Sequence, residues 1–475
     1  MNSQTVIVNN EQTAKQLQQT VDQLRFDFHA KLPIIVRPSA GQITSDAGLL
    51  PIRQFDARWR YTQRMAACLV PPIDTSLRRT HPFELMLRQR LFGIIAGYED
   101  CNDHDTLRDD PVFKLVAGRL PEGHALASQP TLSRFENTPE PRVLNRLIDF
   151  HVATGVERLK SHHGKHIPTK IILDLDATDD PTHGQQHLTF FHGYYGQHQY
   201  LPLIISEPTT KHVFLARLRH GTAHASLGAT DDLIQVVDAI KKAYPEVVIE
   251  VRADAGFAVP EMYTCCEKND LLYTLGFSSN TRLKKLTEPL MNQAIEQYET
   301  TRQKQRLFTT FLYQCDSWDR PRRVIAKAEC HREGTNLRFI VTNHADISTP
   351  EDAMRCYDEY VLRGESEHRM DELKNGLSMD RLSCHRYMAN FFRLMLHVAA
   401  MNLLNAQRDS SELPEVVRKG QPCTWRTYVV KVAATVVQSA RRVLVETASN
   451  WPWWETYREV AIRSNTFFAP PPAPS

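Results

Sequence analysis

The spacing of apolar residues along the chain changes from a helical to a strand-like pattern near residue 167. Between Thr44 and His166 apolar residues recur at helical spacing, as in His81–Gly97, and Ser128–Asn137 reads as a short helix with a proline in its first turn. From Pro168 onward, short runs rich in β-branched residues predict strands. The pattern therefore predicts a mainly helical N-terminal region followed by an α/β unit.

The α/β unit is predicted to open with three strands, a helix and a fourth strand. The strands are predicted at Ile171–Asp176, Tyr200–Ser206, His212–Arg219 and Val247–Val251, with the helix at Asp231–Tyr244. Acids end the first strand and follow the fourth, at Asp176 and Asp254, where α/β sheets place their sites. This order is that of the ribonuclease-H-like fold.

The remaining pattern divides the chain into five parts. A polar helix and three strands between residues 279 and 345 indicate a β-rich insertion within the core, with twelve Lys or Arg against seven Asp or Glu. This excess suits a surface that contacts phosphates, and a solvated basic face is the equal alternative. We predict an N-terminal mainly helical DNA-binding region, a core in two parts around the insertion, and a C-terminal helical region with a Pro-rich tail, at residues 1–166, 167–278, 279–345, 346–408 and 409–475.

The stretch Tyr360–Lys374 carries the densest polar chemistry. If it forms one continuous helix, Tyr360, Arg363, Glu367 and Lys374 fall within about 60° of arc and share one face. A solvated charged face is the ordinary explanation of such a stripe. The spacing Y-x2-R-x3-E-x6-K favours a site instead, because it resembles the signature of bacterial insertion-sequence DDE transposases of group 1, the cut-and-paste type.

Two further motifs carry the same resemblance. Asp176-Ala177-Thr178 matches the D-x-[ST] context of the family's first acid, and Arg252–Phe257 matches the R-x-D-x-G-[FY] context of the second, Asp254. Periodicity alone does not separate Asp176 from Asp174, because alternate strand residues face the same side. The resemblance selects Asp176, with Asp174 as the alternative.

The resemblance implies a function and its chemistry. Such a protein binds the terminal inverted repeats of its element, cleaves DNA at the ends and joins them to target DNA. Asp176, Asp254 and Glu367 are expected to be both the catalytic residues and the ligands of Mg²⁺, with Mn²⁺ as a substitute. Tyr360, Arg363 and Lys374 would contact DNA phosphates. Double-stranded DNA is the expected partner, bound by a homodimer.

Trp318 lies at the tip of a predicted hairpin in the insertion. The sequence around it is polar, and family members with such an insertion use an aromatic residue there to stack on a flipped base. We therefore expect Trp318 to contact DNA, with Arg320, Arg322 and Arg323 on the neighbouring phosphates. Packing of Trp318 onto the main domain as a structural anchor is the alternative.

Composition limits the other possibilities. The chain has 475 residues, 42% of them hydrophobic, and a net charge of +2. Nine cysteines without a C-x2-C pair and the lack of a long apolar run predict a cytoplasmic, nucleoid-associated protein that no membrane holds. Zinc hydrolase chemistry at His183, His187, His192 and His198 is disfavoured, because none forms a helical ligand pair. A metal-dependent nuclease without strand transfer and a catalytically silent DNA-binding protein remain the alternative functions.

Overall fold

An eight-stranded mixed sheet is the centre of the fold in a computed structural model of the chain. The structure describes residues 40–70, 80–193, 195–409 and 413–466, with short pieces at 5–7, 23–26, 28, 32 and 34–37. The strands in chain order are β1 Thr5–Ile7, β2 Gln23–Phe26, β3 Ile34–Val36, β4 Ile43–Thr44, β5 Lys170–Ala177, β6 Asp180–Pro181, β7 Phe190–His192, β8 Gln197–Tyr200, β9 Leu203–Glu207, β10 His212–Arg217, β11 Val248–Ala253, β12 Leu272–Phe277, β13 Gln305–Tyr313, β14 Arg322–His331, β15 Gly334–Thr342, β16 Ala434–Gln438 and β17 Val443–Thr447.

The α-helices lie on and beside this sheet. They are α1 Leu49–Trp59, α2 Tyr61–Leu69, α3 Phe83–Ala96, α4 His104–Leu107, α5 Pro111–Ala117, α6 Gln129–Glu136, α7 Pro141–His163, α8 Ala229–Ala243, α9 Pro260–Lys268, α10 Thr281–Thr301, α11 Pro350–Val361, α12 Gly364–Asp371, α13 Tyr387–Arg408, α14 Glu415–Arg418, α15 Pro422–Trp425 and α16 Trp454–Thr466.

The sheet order is β10-β9-β5-β11-β12-β15-β14-β13. β11 runs parallel to β5 and to β12, and every other neighbouring pair in this sheet is antiparallel. Ile171, Leu173 and Leu175 of β5 are buried on one face, while Asp174 and Asp176 alternate with them and face the other side. In the β5–β11 ladder Asp174 lies opposite Arg252.

The core joins the N-terminal helices to the sheet through α13. The residues of this helix from Ala389 to Arg408 are all buried, the polar ones included, as expected of a helix that other elements enclose. It packs against α3 on one side and against β10 and α7 on the other. The N-terminal region is therefore continuous with the packing of the sheet.

The strands of the predicted insertion extend the sheet. β15 pairs with β12, and β14 and β13 follow it outward, with α10 packed across β13 and β14. Without β15, the edge of β12 would be unpaired. The segment 279–345 therefore adds its strands to the sheet at that edge.

Two expectations about helices are wrong. Tyr360–Lys374 is not one continuous helix, because α11 ends at Val361, tight turns pass through Leu362 and Arg363, and α12 leads into a π-helical turn at Glu372–Gly376. The apolar residues of Arg381–Asn405 also predict a long helix from Arg381, whereas this helix starts at Tyr387.

The C-terminal region also differs from the expectation of helix. β16 and β17 form an antiparallel hairpin that pairs with β4. Alternating β-branched residues such as Val436 and Val445 favour strands here over helix. The loosely ordered arm expected at residues 1–30 and the Pro-rich tail lie mostly outside the described residues. Within the described ranges, none of the helices combines the length and the apolar character that crossing a membrane requires.

Candidate active site

Two aspartates lie next to each other at the ends of two neighbouring strands. β5 and β11 are parallel neighbours, and Leu175 pairs with Ala253, so the residues that follow them, Asp176 and Asp254, come to the same end of the ladder. Asp254 Oδ1 accepts a hydrogen bond of 2.9 Å from the backbone N–H of Gly256 and caps the short 3-10 turn that follows β11. This cap fixes the backbone at the second aspartate.

The third acid comes from α12. Glu367 is linked to the strands through Arg363, whose Nη1 lies 3.5 Å from Asp176 Oδ2 and whose Nη2 lies 3.4 Å from Glu367 Oε1. Ser366 Oγ donates a hydrogen bond of 3.1 Å to Asp176 Oδ2. One guanidinium thus lies between two of the three carboxylates.

Asp176 is held in an unfavourable environment for a charged group. Burial is the largest cause that raises the pKa of Asp176, and the negative charges of Asp254 and Glu367 add to it; against the Arg363 charge and the Ser366 hydrogen bond, which lower it, the pKa is raised to about 6. The three acids therefore interact electrostatically. A cation at this place would relieve that repulsion.

A cleft of about 1130 Å³ opens beside two of these acids, and Asp176 itself is not one of its lining residues. The sequence-predicted residues that line it are Asp254, Glu367, Tyr360 and Arg363. Tyr360 donates its hydroxyl to the backbone carbonyl of Ala253 at 3.3 Å, which places its ring beside the second aspartate. The structure thus brings together the acids and two of the three residues of Tyr360–Lys374 that are predicted to contact phosphates.

Lys374 is placed apart from this group. It lies in the π-helical turn, and its Nζ contacts Asp179 Oδ1 at 2.9 Å and Thr178 Oγ1 at 3.4 Å. The wider turn changes the direction of side chains relative to a regular α-helix. Lys374 therefore lies behind the first aspartate and not among the cleft-lining residues.

Asp174, the alternative first acid, is enclosed. Its side chain has no exposed surface and accepts hydrogen bonds from Arg252 Nε at 2.8 Å and from Arg369 Nη2 at 2.5 Å. Asp176 and Asp174 do share one face of β5, but only Asp176 is directed at the other two acids. This arrangement favours Asp176.

The expectation of an exposed Trp318 is wrong. Its side chain is only 5% exposed and forms aromatic contacts with Tyr263, Phe277 and Tyr313 at centroid distances of 5.2, 5.3 and 6.0 Å. The turn around Trp318 is polar, but the Trp318 ring packs against β12 and α9, because burying this apolar surface stabilises the fold more than exposing it. The geometry matches a structural anchor.

The neighbouring arginines are also mostly engaged. Arg322, with 2% of its side chain exposed, forms a forked pair with Glu267 at 2.9 and 3.0 Å. Arg320 is 56% exposed and reaches the same carboxylate, and Arg323 lies 3.4 Å from the Thr310 hydroxyl. The expectation that all three point at phosphates is wrong for Arg322, because its guanidinium is buried in an ion pair.

Sequence reasoning missed several cleft residues. His224 and Arg338 line the cleft, as does His192, which the sequence suggested only as a disfavoured zinc ligand, and Ser366 contacts Asp176. Ser366 carried a usable signal, since it lies three residues after Arg363 and so on the same side of a helix. The histidines and Arg338 come from separate elements and have no local pattern.

The donor set was compared with the needs of a metal ion. Across the part of the chain that the structure describes, no three His, Cys, Asp or Glu side chains lie close enough to form a complete ligand set, and this includes the four histidines around β7 and β8. The three acids nevertheless supply carboxylate oxygens, which hard divalent cations prefer. Glu367 is 72% exposed and not held by packing. The chemistry of the donors fits a divalent cation.

Comparison with known proteins adds an independent observation. Residues 26–466 match the family model described as transposase DDE domain, group 1. Curated protein sequences contain no match. Among solved structures, the chain is similar to the piggyBac transposase in a synaptic complex with hairpin DNA, at a TM-score of 0.39 and 11% identity, over 76% of this chain and 74% of that chain. A similarity of that size is too weak to assign fold or function.

Proposed function

The chain belongs to the group 1 family of transposase DDE domains, and from this premise we propose that it cleaves DNA at the ends of its own mobile element and joins those ends to target DNA. One observation carries the proposal. Asp254 at the end of β11 and Glu367 on α12 line one cleft, and their negative charges raise the pKa of Asp176 at the neighbouring strand end. Grouped carboxylates of this kind suit metal-dependent phosphoryl transfer.

A ribonuclease-H-like core is part of this proposal. Numbered along the chain, β5, β9, β10, β11 and β12 lie in the spatial order 3-2-1-4-5, with the second strand antiparallel to the first and the fourth and fifth parallel to it. The order along the chain, three strands, a helix and a fourth strand, is the one that the sequence pattern predicts. It supports a core in which the first and fourth strands carry acids.

Asp176, Asp254 and Glu367 would hold Mg²⁺, with Mn²⁺ as a substitute. When bound, divalent ions activate the attacking oxygen and stabilise the leaving oxygen of a phosphodiester. The protein's own part is to orient the carboxylates: the ladder and the Gly256 cap set the two aspartates, and Ser366 and Arg363 set the first of them against α12.

Arg363 and Tyr360 are the proposed contacts for the DNA phosphate beside the cut. Both line the cleft, and a guanidinium presents a fork that matches phosphate oxygens. Because Arg363 lies against Asp176 and Glu367, its role in DNA binding requires it to exchange a carboxylate for a phosphate. Lys374 takes part only if it leaves Asp179, and Arg320 and Arg323 remain proposed contacts of the insertion.

The partner we propose is double-stranded DNA, as terminal inverted repeats and as target. Two ends of one element have to be cut and joined together, which favours a homodimer in the DNA complex. The segment of residues 1–166 is the proposed reader of the repeats. Within it, Leu132 and Phe135 of α6 are buried, so that DNA contact there would fall to the exposed side of that helix.

The test uses a supercoiled plasmid that carries the gene with its native flanking DNA. We expect the full chain with Mg²⁺ to give nicked plasmid, excised linear element and inserted products. Asp254→Ala should abolish all three while DNA binding stays measurable, because removing a carboxylate does not weaken attraction for phosphate. Cleavage without any joined product would favour a nuclease, and binding without cleavage a silent DNA-binding protein.

A further inference from the structure

A buried ion-pair network lies next to the three acids, on the same three elements. Asp174, with no exposed surface, accepts hydrogen bonds from Arg252 Nε at 2.8 Å and Nη2 at 3.1 Å, and from Arg369 Nη2 at 2.5 Å. The side chains of Arg252 and Arg369 are 3% and 5% exposed. One carboxylate thus holds two guanidinium groups away from water.

Each member of the network lies two residues from one of the three acids. Asp174 precedes Asp176 on β5, and Arg252 precedes Asp254 at the end of β11, each by two positions. Arg369 follows Glu367 by two positions on α12. Residues two apart face the same side of a strand but nearly opposite sides of a helix, so Arg369 points at β5 while Glu367 points at solvent.

The two aspartates do not need this network to stay together. Backbone hydrogen bonds between β5 and β11 already set their register, with Asp174 directly opposite Arg252. α12 has no such ladder, since a helix satisfies its backbone groups internally. Its position relative to β5 rests on side chains.

Side-chain links from this helical segment reach β5 in reverse order. Arg363 and Ser366 contact Asp176, and Arg369 contacts Asp174, so α12 runs antiparallel to the strand. Arg252 Nη1 also donates a hydrogen bond of 2.8 Å to the backbone carbonyl of Glu359. This bond links the last turn of α11 to β11. Among these side chains, Arg369 is the buried one that links α12 to β5 on the C-terminal side of Glu367.

We propose that Arg369, through Asp174 and Arg252, is a positioning residue that holds α12 against β5, so that the exposed Glu367 side chain can turn towards Asp176 and Asp254 and complete a shared cation site. The inference rests on the proposed function. Buried ion pairs often contribute little net stability compared with apolar residues, whereas removing one partner leaves a buried charge unpaired. Precise placement of a carboxylate therefore accounts for this costly arrangement better than stability does.

The test compares Arg369→Gln and Arg369→Lys with a matched buried arginine. Arg90 on α3 is as deeply buried and pairs with Glu136 at 2.6 Å, among the N-terminal helices, so Arg90→Gln breaks a buried ion pair elsewhere in the fold. Each full-length protein is loaded with Fe²⁺ in place of Mg²⁺ and treated with ascorbate and peroxide, so that the backbone is cut near the bound ion. Nicking of the plasmid is measured against Mg²⁺ concentration, and thermal unfolding is recorded alongside.

We expect wild-type cuts near Asp176, Asp254 and Glu367. Arg369→Gln should keep the cuts near the two aspartates, lose those near Glu367, and raise the Mg²⁺ concentration for half-maximal nicking by about 10–100-fold. Arg369→Lys, which keeps the charge, should shift both readouts less. Arg90→Gln should lower the unfolding temperature but keep the wild-type cut pattern and Mg²⁺ requirement.

A wild-type cut pattern and Mg²⁺ requirement in Arg369→Gln would overturn the inference, as would equal changes in Arg90→Gln. If Arg369→Gln does not fold, Arg369→Lys decides, and a wild-type pattern in it overturns the inference. Wild-type protein that gives localised cuts but nicks no DNA refutes the proposed function and not the positioning role. Wild-type protein without localised cuts overturns the positioning role, because there would be no ion to complete a site around.

Discussion

Replacing Asp176 with Asn should stabilise the protein in the absence of metal while abolishing its cleavage activity. Asp176 is 14% exposed, and burial together with the charges of Asp254 and Glu367 raises its pKa to about 6. An ionised carboxylate is therefore costly to the folded state at neutral pH. Asn has nearly the same shape, carries no charge, and its oxygen can still accept the Ser366 hydrogen bond of 3.1 Å.

The size of the effect follows from the pKa. A rise from 3.8 to about 6 is about two pH units, which corresponds to about 3 kcal/mol. At about 2.1 cal/mol/K per residue, the unfolding entropy of 475 residues is about 1 kcal/mol/K, so the unfolding temperature rises by about 3 °C. Arg363, 3.5 Å away, loses a charged partner in the variant, so about 3 °C is the upper limit.

The pH dependence gives the prediction its sign. The pKa of Asp176 is higher in the folded than in the unfolded protein. The wild-type protein therefore becomes more stable as the pH falls through about 6, and this stabilisation is complete below pH 3.8. The advantage of Asp176→Asn should thus be largest above pH 6 and vanish near pH 4. Thermal unfolding of both proteins in EDTA across this range measures it, and added Mg²⁺ should stabilise only the wild type.

Asp174→Asn on the same strand is the matched control. It removes the charged partner of two buried arginines and should destabilise the protein by about 3–5 kcal/mol at pH 8. Opposite signs for the two variants are expected. A lower unfolding temperature for Asp176→Asn in EDTA at pH 8 would refute the view that charge crowding is a net cost at this site.

Further substitutions test other parts of the site. Trp318→Ala should cost about 3–5 kcal/mol in thermal unfolding and reduce nicking and later steps equally; a variant of wild-type stability that nicks normally but fails afterwards would restore the base-stacking role. Arg363→Gln should lower the slope of DNA affinity against salt by about 1, and Lys374→Gln should leave it unchanged, since Lys374 is paired away from the cleft; a reduced slope for Lys374→Gln contradicts this. Gly276→Ala should lower nicking by about tenfold or more, because its Cβ would lie 2.7 Å from the Tyr360 hydroxyl and 3.0 Å from the backbone N of Ala255, next to Asp254. A wild-type nicking rate in this variant would show that the Tyr360 ring can move without consequence.

Much of the architecture was predictable because it is written in local periodicity. Apolar runs predicted the strands that became β5, β9, β10 and β11, and the amphipathic pattern of residues 231–244 predicted α8 to within two residues. The acids at the ends of β5 and β11 were visible for the same reason, since a charge that ends a buried run marks the rim of a sheet. The hairpin of β16 and β17 carried a β-branched signal that an overall expectation of helix concealed.

The details of the site depended on contacts between residues far apart in sequence. Asp174 and Asp176 share a strand face, and what separates them is Arg252 and Arg369, which are 78 and 195 positions from Asp174. Trp318 lies in a polar turn, yet its surroundings come from other elements. Periodicity reports which side of an element a residue occupies. It does not report which element covers that side, and burial, ion pairing and the pKa of Asp176 are set by that cover.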